Sequence, residues 1–241
     1  MSYPMYSLEL GVAARAQPVD IGPSARRPPR VLFIMALLAL VSAGQTPNAP
    51  AASPLAAANA AASGRAVLYE EDPSDPQGEE YAGSVLWRTD RITVTGQGDE
   101  IAVHADIEIP NRKLKIEMSI RRNSDKSLAA SHVIELTFVA PPDFAGGDVS
   151  GVPGILMKSN ENARGIPLAG VGLKVSKGLF LISLSNVAAE RARNLQYLKE
   201  QSWIDIPIVY ASGRRAILAI EKGASGQRSF NEALLAWEPP R

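Results

Sequence analysis

The chain has 241 residues, 46% hydrophobic and 21% charged, and its 25 basic side chains balance its 25 acidic ones. Because it lacks the positive field that attracts a phosphate backbone, we expect no nucleic-acid partner. The sequence contains no cysteine, which excludes disulfides, thiolate metal sites and thiol nucleophiles.

The first predicted element is a targeting segment. Residues 31–44 read VLFIMALLALVSAG and follow the basic sequence ARRPPR, which is typical of the h-region and n-region of a signal peptide. We expect residues 1–30 to stay in the cytoplasm and the rest of the chain to be exported. The apolar run is short for a spanning helix, which needs roughly 17–25 residues. Small residues at 41–43 favour cleavage, whereas the long n-region favours an uncleaved signal anchor.

An Ala/Pro-rich stretch follows at residues 45–64. It carries no charge, no aromatic residue and no apolar periodicity, so it predicts a disordered linker, either a membrane tether or a leader. Residues 65–241 are predicted to form a single β-rich extracytoplasmic domain. Its location is therefore periplasmic or secreted, with a tether to the inner membrane if residues 31–44 are retained.

The first half of this domain shows apolar and polar residues in strict alternation. The runs are 101–109, 114–121 and 134–138, and turn residues at 123–125 separate the last two. Three amphipathic strands in succession predict an antiparallel meander with one dry face. Shorter strands are expected before it at 66–69 and 83–89.

The second half mixes strands with helices. The nearly continuous apolar runs at 171–175 and 179–184 predict strands covered on both faces. Asn186 is a predicted cap of a helix with a narrow apolar stripe. A strand at 203–210 is predicted at a sheet edge because Pro207 cannot donate a ladder hydrogen bond, and a hairpin follows. Ser229 and Glu232 match a capping box that opens a last helix.

These elements together predict a mainly β fold. The expected architecture is an antiparallel β-sandwich or barrel-like sheet with two short helices in the C-terminal half.

Four side chains are candidates for acid–base chemistry. His104 and Asp106 lie two apart on one strand, so both leave the same face, as a base and its orienting carboxylate do. Asp143 and Asp148 are a carboxylate pair that could act as acid and base. No nucleophile motif accompanies them. A solvated polar face of a half-buried strand explains the first pair better, and we favour that interpretation.

A cluster of acidic residues is the candidate metal site. A flexible loop of carboxylates suits calcium, and the candidate ligands are Glu70, Glu71, Asp72, Asp75 and Glu79. Their spacing does not match a calcium-loop motif, and the intervening prolines and glycine also fit a surface turn. We favour the turn, and the sequence predicts no cofactor.

Several C-terminal segments resemble a group of uncharacterised exported proteins of α-proteobacteria. They include PGILMK (153–158), RNLQYLKEQSWIDIP (193–207) and GRRAILAIEKG (213–223). More distantly, the order of elements in residues 131–237 resembles the invasion-associated locus B-type periplasmic domain. That domain usually carries a central cysteine pair, which this chain lacks. The resemblance implies export and supplies no catalytic residues.

The leading functional hypothesis is an exported envelope protein that acts as a non-enzymatic binding or interaction module. Its partner would be an envelope protein, a lipid head group or a polysaccharide. One alternative is a periplasmic hydrolase that uses carboxylates and His104, and another is a small-ligand carrier. Convergence of the candidate acids and bases in a cleft would favour the hydrolase, and a large apolar cavity would favour the carrier.

Overall fold

The structure is a computed structural model that describes residues 63–94 and 98–238. The strands are β1 (Gly64–Asp72), β2 (Asp75–Val94), β3 (Gly98–Ile109), β4 (Leu114–Arg122), β5 (Ala130–Val139), β6 (Val149–Gly151), β7 (Leu156–Lys158), β8 (Ile166–Pro167), β9 (Gly170–Ser176), β10 (Leu179–Ser185), β11 (Trp203–Tyr210) and β12 (Arg215–Glu221). The helices are a 3-10 turn (Pro110–Arg112), α1 (Ala188–Glu200) and α2 (Gly223–Trp237). The predicted targeting segment and residues 45–62 of the predicted linker lie outside the described residues.

All twelve strands belong to one antiparallel sheet. Its order is β8-β7-β11-β12-β1-β2-β3-β4-β5-β10-β9, and β6 pairs with β11 beside this path. The predicted meander is confirmed, since β3, β4 and β5 are successive antiparallel neighbours. The mainly β fold is also confirmed. Of the two predicted architectures the structure has the barrel-like one: a single curled sheet, a half-barrel, rather than a sandwich.

The dry face of the curled sheet and the two helices form the core. The predicted alternation is visible in β4, where Leu114, Ile116, Met118 and Ile120 are all buried. Helix α2 lies against β2 and β3 on this face: the Phe230 ring meets the Trp87 ring edge-on at 5.4 Å. The indole nitrogen of Trp237 donates to the carbonyl of Ile101 at 2.8 Å. Neither helix in the described part of the chain is long and apolar enough to cross a membrane.

The predicted start of the last helix is wrong. Helix α2 begins at Gly223, six residues before the predicted cap Ser229, which is buried inside the helix. The early start has a tertiary cause. A side chain at Gly226 would lie 3.0 Å from the Trp87 ring, so this glycine lets the first helical turn pack closely on the sheet. Packing here outweighs the low helix propensity of glycine.

The position predicted for Pro207 is also wrong, because β11 is an interior strand. On one side it pairs with β12 along its length. On the other side β7 pairs with residues 203–205 and β6 pairs with residues 209 and 210. Pro207 lies between these two short partners, where no ladder hydrogen bond is needed. The proline therefore marks a gap between partners rather than an edge.

Strand β9 is not covered on both faces, contrary to the prediction. It is the terminal strand of the sheet, and Val171, Leu173 and Val175 are 70%, 62% and 55% exposed. Its neighbour β10 buries Phe180, Ile182 and Leu184 in the core. No layer of the described structure covers the outer face at this end of the sheet.

Candidate binding surface

His104 and Asp106 contact different side chains on the outer face of the sheet. The His104 Nε2 atom lies 3.6 Å from Asp90, whereas Asp106 pairs with Arg88. Arg88 also contacts Asp90 at 3.2 Å. Partial burial lowers the pKa of His104, although the nearby Asp90 opposes this shift. Arg88 thus forms ion pairs with Asp90 and Asp106 across β2 and β3, and the His104 ring lies beside Asp90.

The other candidate pair lies in the connection between β5 and β6. Asp143 is exposed there. Asp148 accepts a hydrogen bond from the Val149 backbone at 2.9 Å and lies 3.5 Å from the Lys174 ammonium. Among the described residues, no hydrogen bond or ion pair joins His104 or Asp106 to either aspartate. The structure therefore does not assemble the four candidates into one constellation.

The acidic cluster lies in the β-hairpin formed by β1 and β2. Four of the five carboxylates bind neighbours in or near the turn: Glu71 pairs with Arg215, Asp72 accepts from Ser74, Asp75 accepts from Gln77, and Glu79 accepts from Tyr81. The fifth, Glu70, points away from them into the protein. In the described part of the chain, no group of three or more histidine or carboxylate side chains is placed to hold a metal ion.

Glu70 belongs to a buried polar network that the sequence did not reveal. Its carboxylate accepts a hydrogen bond from the Tyr210 hydroxyl at 2.5 Å and lies 2.9 Å from the Arg112 guanidinium. That guanidinium also lies over the rings of Tyr81 and Phe144, at 5.0 and 4.7 Å. Burial is the main cause that raises the pKa of Tyr210. The network ties β1, the 3-10 turn and β11 together, which indicates a structural role.

The strongest candidate for recognition is the β9 surface, which we define as the free edge of β9 with its outward side chains Val171, Leu173 and Val175. Beside them the half-buried Leu179 and Leu181 of β10 continue the apolar area. Contiguous exposed apolar area on a folded domain usually marks an interaction site.

The two ends of the sheet differ in how they are protected. The terminal strand β8 has two residues, one of them Pro167, and a short, proline-containing edge resists pairing with another strand. The terminal strand β9 has seven residues and no proline. Among the described strands, β9 is therefore the terminal one that is long enough to accept another strand.

The one charged side chain of β9 is turned away from the outer face. Lys174 donates to the carbonyl of Val149 at 2.6 Å, and its ammonium lies 5.6 Å from the centre of the Phe180 ring. A lysine on an edge strand usually discourages strand addition. Here the ammonium is bound on the inner side of the sheet by Val149 and Asp148, so it does not discourage the addition of a strand to β9.

The ladder between β9 and β10 determines which backbone groups face the free edge. The Ser185 amide donates to the carbonyl of Ala169, and Leu173 is paired with Leu181. Because hydrogen-bonded pairs alternate along an antiparallel ladder, the N–H and C=O groups of Gly172 and Lys174 point outward. A side chain at Gly172 would meet the carbonyl of Val152 at 2.1 Å, so glycine lets the chain after β6 lie against β9.

Comparison of the chain with protein-family models, with curated proteins and with solved structures finds no match. The resemblance to exported α-proteobacterial proteins and to the invasion-associated locus B-type domain therefore stays a prediction.

Proposed function

We propose that the chain is an exported, non-enzymatic interaction module of the cell envelope, which binds a protein by adding an extended strand to β9. The observation that carries the proposal is the exposure of Val171, Leu173 and Val175 along a seven-residue terminal strand. Export, to the periplasm or beyond, is supported by the basic and apolar sequence of residues 26–44.

The chemistry of the β9 surface favours a protein over the other two predicted partner classes. A lipid head group or a polysaccharide is held by charged or hydrogen-bonding side chains, and the outward side chains of β9 are apolar. An added strand would bond to the backbone groups of Gly172 and Lys174. Its alternate side chains would cover the three apolar ones. The expected partner segment is therefore extended, with apolar residues at every second position.

The hydrolase and the carrier have less support. Asp106 and Asp148 are engaged in the ion pairs described above, His104 lies beside Asp90, and Asp143 is exposed on its loop. The inner face of the sheet is filled with side chains. A hollow of about 110 Å³ lies between Gly64 and Arg228, and it is smaller than the roughly 300–1,000 Å³ of a typical small-molecule pocket.

The binding proposal is tested with a synthetic strand. The probe is a fluorescent, acetylated peptide of sequence KVKLKVK, and its control, KKVLVKK, has the same composition and charge without the alternation. We expect saturable binding of the full chain to the alternating peptide, followed by fluorescence anisotropy, and weaker binding to the control. With the chain dilute, so that copies of it do not compete for the edge, equal binding of both peptides, or of neither, would contradict strand addition at β9.

A matched pair of variants locates the binding. Leu173→Lys places a charge in the middle of the β9 surface, whereas Leu235→Lys changes a residue that is 71% exposed on helix α2. We expect the first to weaken peptide binding about tenfold, which corresponds to about 1.4 kcal/mol, and the second to leave it unchanged. Equal effects of the two variants would place the peptide elsewhere.

Export is tested separately by protease treatment of intact cells and of spheroplasts that carry the full chain. We expect the domain at 65–241 to be digested only after the outer membrane is opened, if it is periplasmic, or to be recovered from the medium, if it is secreted. Intact protein in the soluble cytosolic fraction would refute export.

A further inference from the structure

The pattern of apolar side chains along strand β9 is symmetric about its central residue. It reads GVGLKVS, with Leu173 at the centre and a valine two positions away on each side. The three apolar side chains share the outer face. We infer that the strand that β9 accepts is β9 of a second copy of this chain, paired antiparallel about a two-fold axis at Leu173. This inference rests on the function proposed above.

The register follows from the symmetry. With Leu173 opposite its own copy, Val171 lies opposite Val175, Gly172 opposite Lys174, and Gly170 opposite Ser176. This register places each of the seven residues opposite a residue of the second copy, and Val175, where the ladder with β10 shifts by one residue, lies near both ends of the pairing. A two-fold pairing of this kind is closed, so it produces a dimer rather than an open fibre.

The backbone groups fit this register. The outward N–H and C=O groups of Gly172 and Lys174 face each other across the axis and can exchange hydrogen bonds. Leu173 then falls in a non-hydrogen-bonded pair, where facing side chains approach most closely. The two leucines and four valines form one apolar row across the joined sheets.

The charges also fit. Like charges directly opposite each other destabilise a strand pair, and the only charged side chain of β9 would face a glycine. The ammonium of Lys174 is bound on the inner side, to Val149 and Asp148, so the two copies present no charge to each other on the outer face. Pairing would also cover the long terminal edge that β9 forms in the described part of each sheet.

Cysteine cross-linking of the full chain tests the pairing, because the natural sequence contains no cysteine. In a non-hydrogen-bonded pair the Cα atoms lie about 4.5 Å apart, which is within the range of a disulfide. We expect Leu173→Cys to give a covalent dimer on mild oxidation, seen on a non-reducing gel. Leu235→Cys, at a comparably exposed position on helix α2, is the control for random collision.

A mixing experiment tests the register. Val171→Cys and Val175→Cys each place the thiols of two copies about 13 Å apart along the strand, so neither should cross-link with itself. An equal mixture of the two chains should give the dimer. Circular dichroism of each variant confirms folding.

The outcomes separate this inference from the proposed function. Cross-linking of Leu173→Cys and of the mixture, but not of the separate valine variants, supports the two-fold pairing. Equal cross-linking of Leu173→Cys and Leu235→Cys, or of the valine variants alone and mixed, overturns it. Binding of the alternating peptide without any cross-link leaves the proposed function standing and refutes self-pairing. If the peptide does not bind and no variant cross-links, both the proposed function and self-pairing are refuted.

Discussion

Lys222 is a buried ammonium whose titration should be visible in the stability of the protein. Its side chain donates to the carbonyl of Leu198 at the end of helix α1 and lies 4.2 Å from the centre of the Phe230 ring. No carboxylate pairs with it among the described residues. The carbonyl and the ring favour the charged form, but burial dominates and lowers the pKa of Lys222 to about 7 from an ordinary 10.5.

The lowered pKa of Lys222 makes the free energy of unfolding depend on pH. Between pH 7 and 10.5 the unfolded chain holds a proton at Lys222 that the folded chain has lost, so the free energy of unfolding rises with pH in this window. At about 1.36 kcal/mol per pH unit, the full contribution is about 4 to 5 kcal/mol. About 2–3 kcal/mol of it should develop between pH 6 and pH 9.

The assay compares urea unfolding of the natural chain and of Lys222→Met at pH 6, 7, 8 and 9. Methionine keeps the apolar stem and cannot titrate, so other ionisable groups cancel in the difference. We expect the natural chain to gain about 2–3 kcal/mol relative to the variant as the pH rises. A difference that stays constant from pH 6 to pH 9 would show that Lys222 keeps its ordinary pKa, and would refute the reasoning.

Three further changes test other parts of the fold by urea unfolding. Arg112→Met leaves the Glu70 carboxylate buried without its cation and should cost about 3–5 kcal/mol; the double variant with Glu70→Gln should cost less than the sum of the two single changes. Burial lowers the pKa of His132 to about 4, so stability should fall as the pH drops from 6.5 to 4, and His132→Phe should lessen this loss. Gly172→Ala should destabilise the protein because its Cβ would meet a carbonyl at 2.1 Å, whereas Gly154→Ala, which meets nothing within 4 Å, should not.

The strands of the first half could be predicted because each carries its own signal. Alternation along residues 101–109 or 114–121 identifies a half-buried strand without reference to the rest of the chain. Neighbouring strands are also consecutive in sequence there, so the order of the meander follows from the pattern.

The predictions that are wrong concern features that depend on contacts between residues far apart in the sequence. The composition of residues 171–175 is that of a buried strand, and only the position of β9 at the end of the sheet leaves it exposed. The start of helix α2 depends on packing against Trp87, far away in sequence. The contact between Glu70 and Tyr210 joins residues 140 apart, and no local pattern indicates such a pair. The candidate surface was missed for the same reason, since exposure is a tertiary property.

Amide hydrogen exchange at the free edge of β9 tests the central claim most directly. The rates for Gly172 and Lys174 are measured in the full chain when dilute, when concentrated, and with the alternating peptide, with an amide of the interior strand β10 as reference. If a strand is added to β9, exchange at these two amides should slow about tenfold or more in at least one of the last two conditions, while the reference stays constant. Equal rates in all three conditions would show that nothing pairs with this edge.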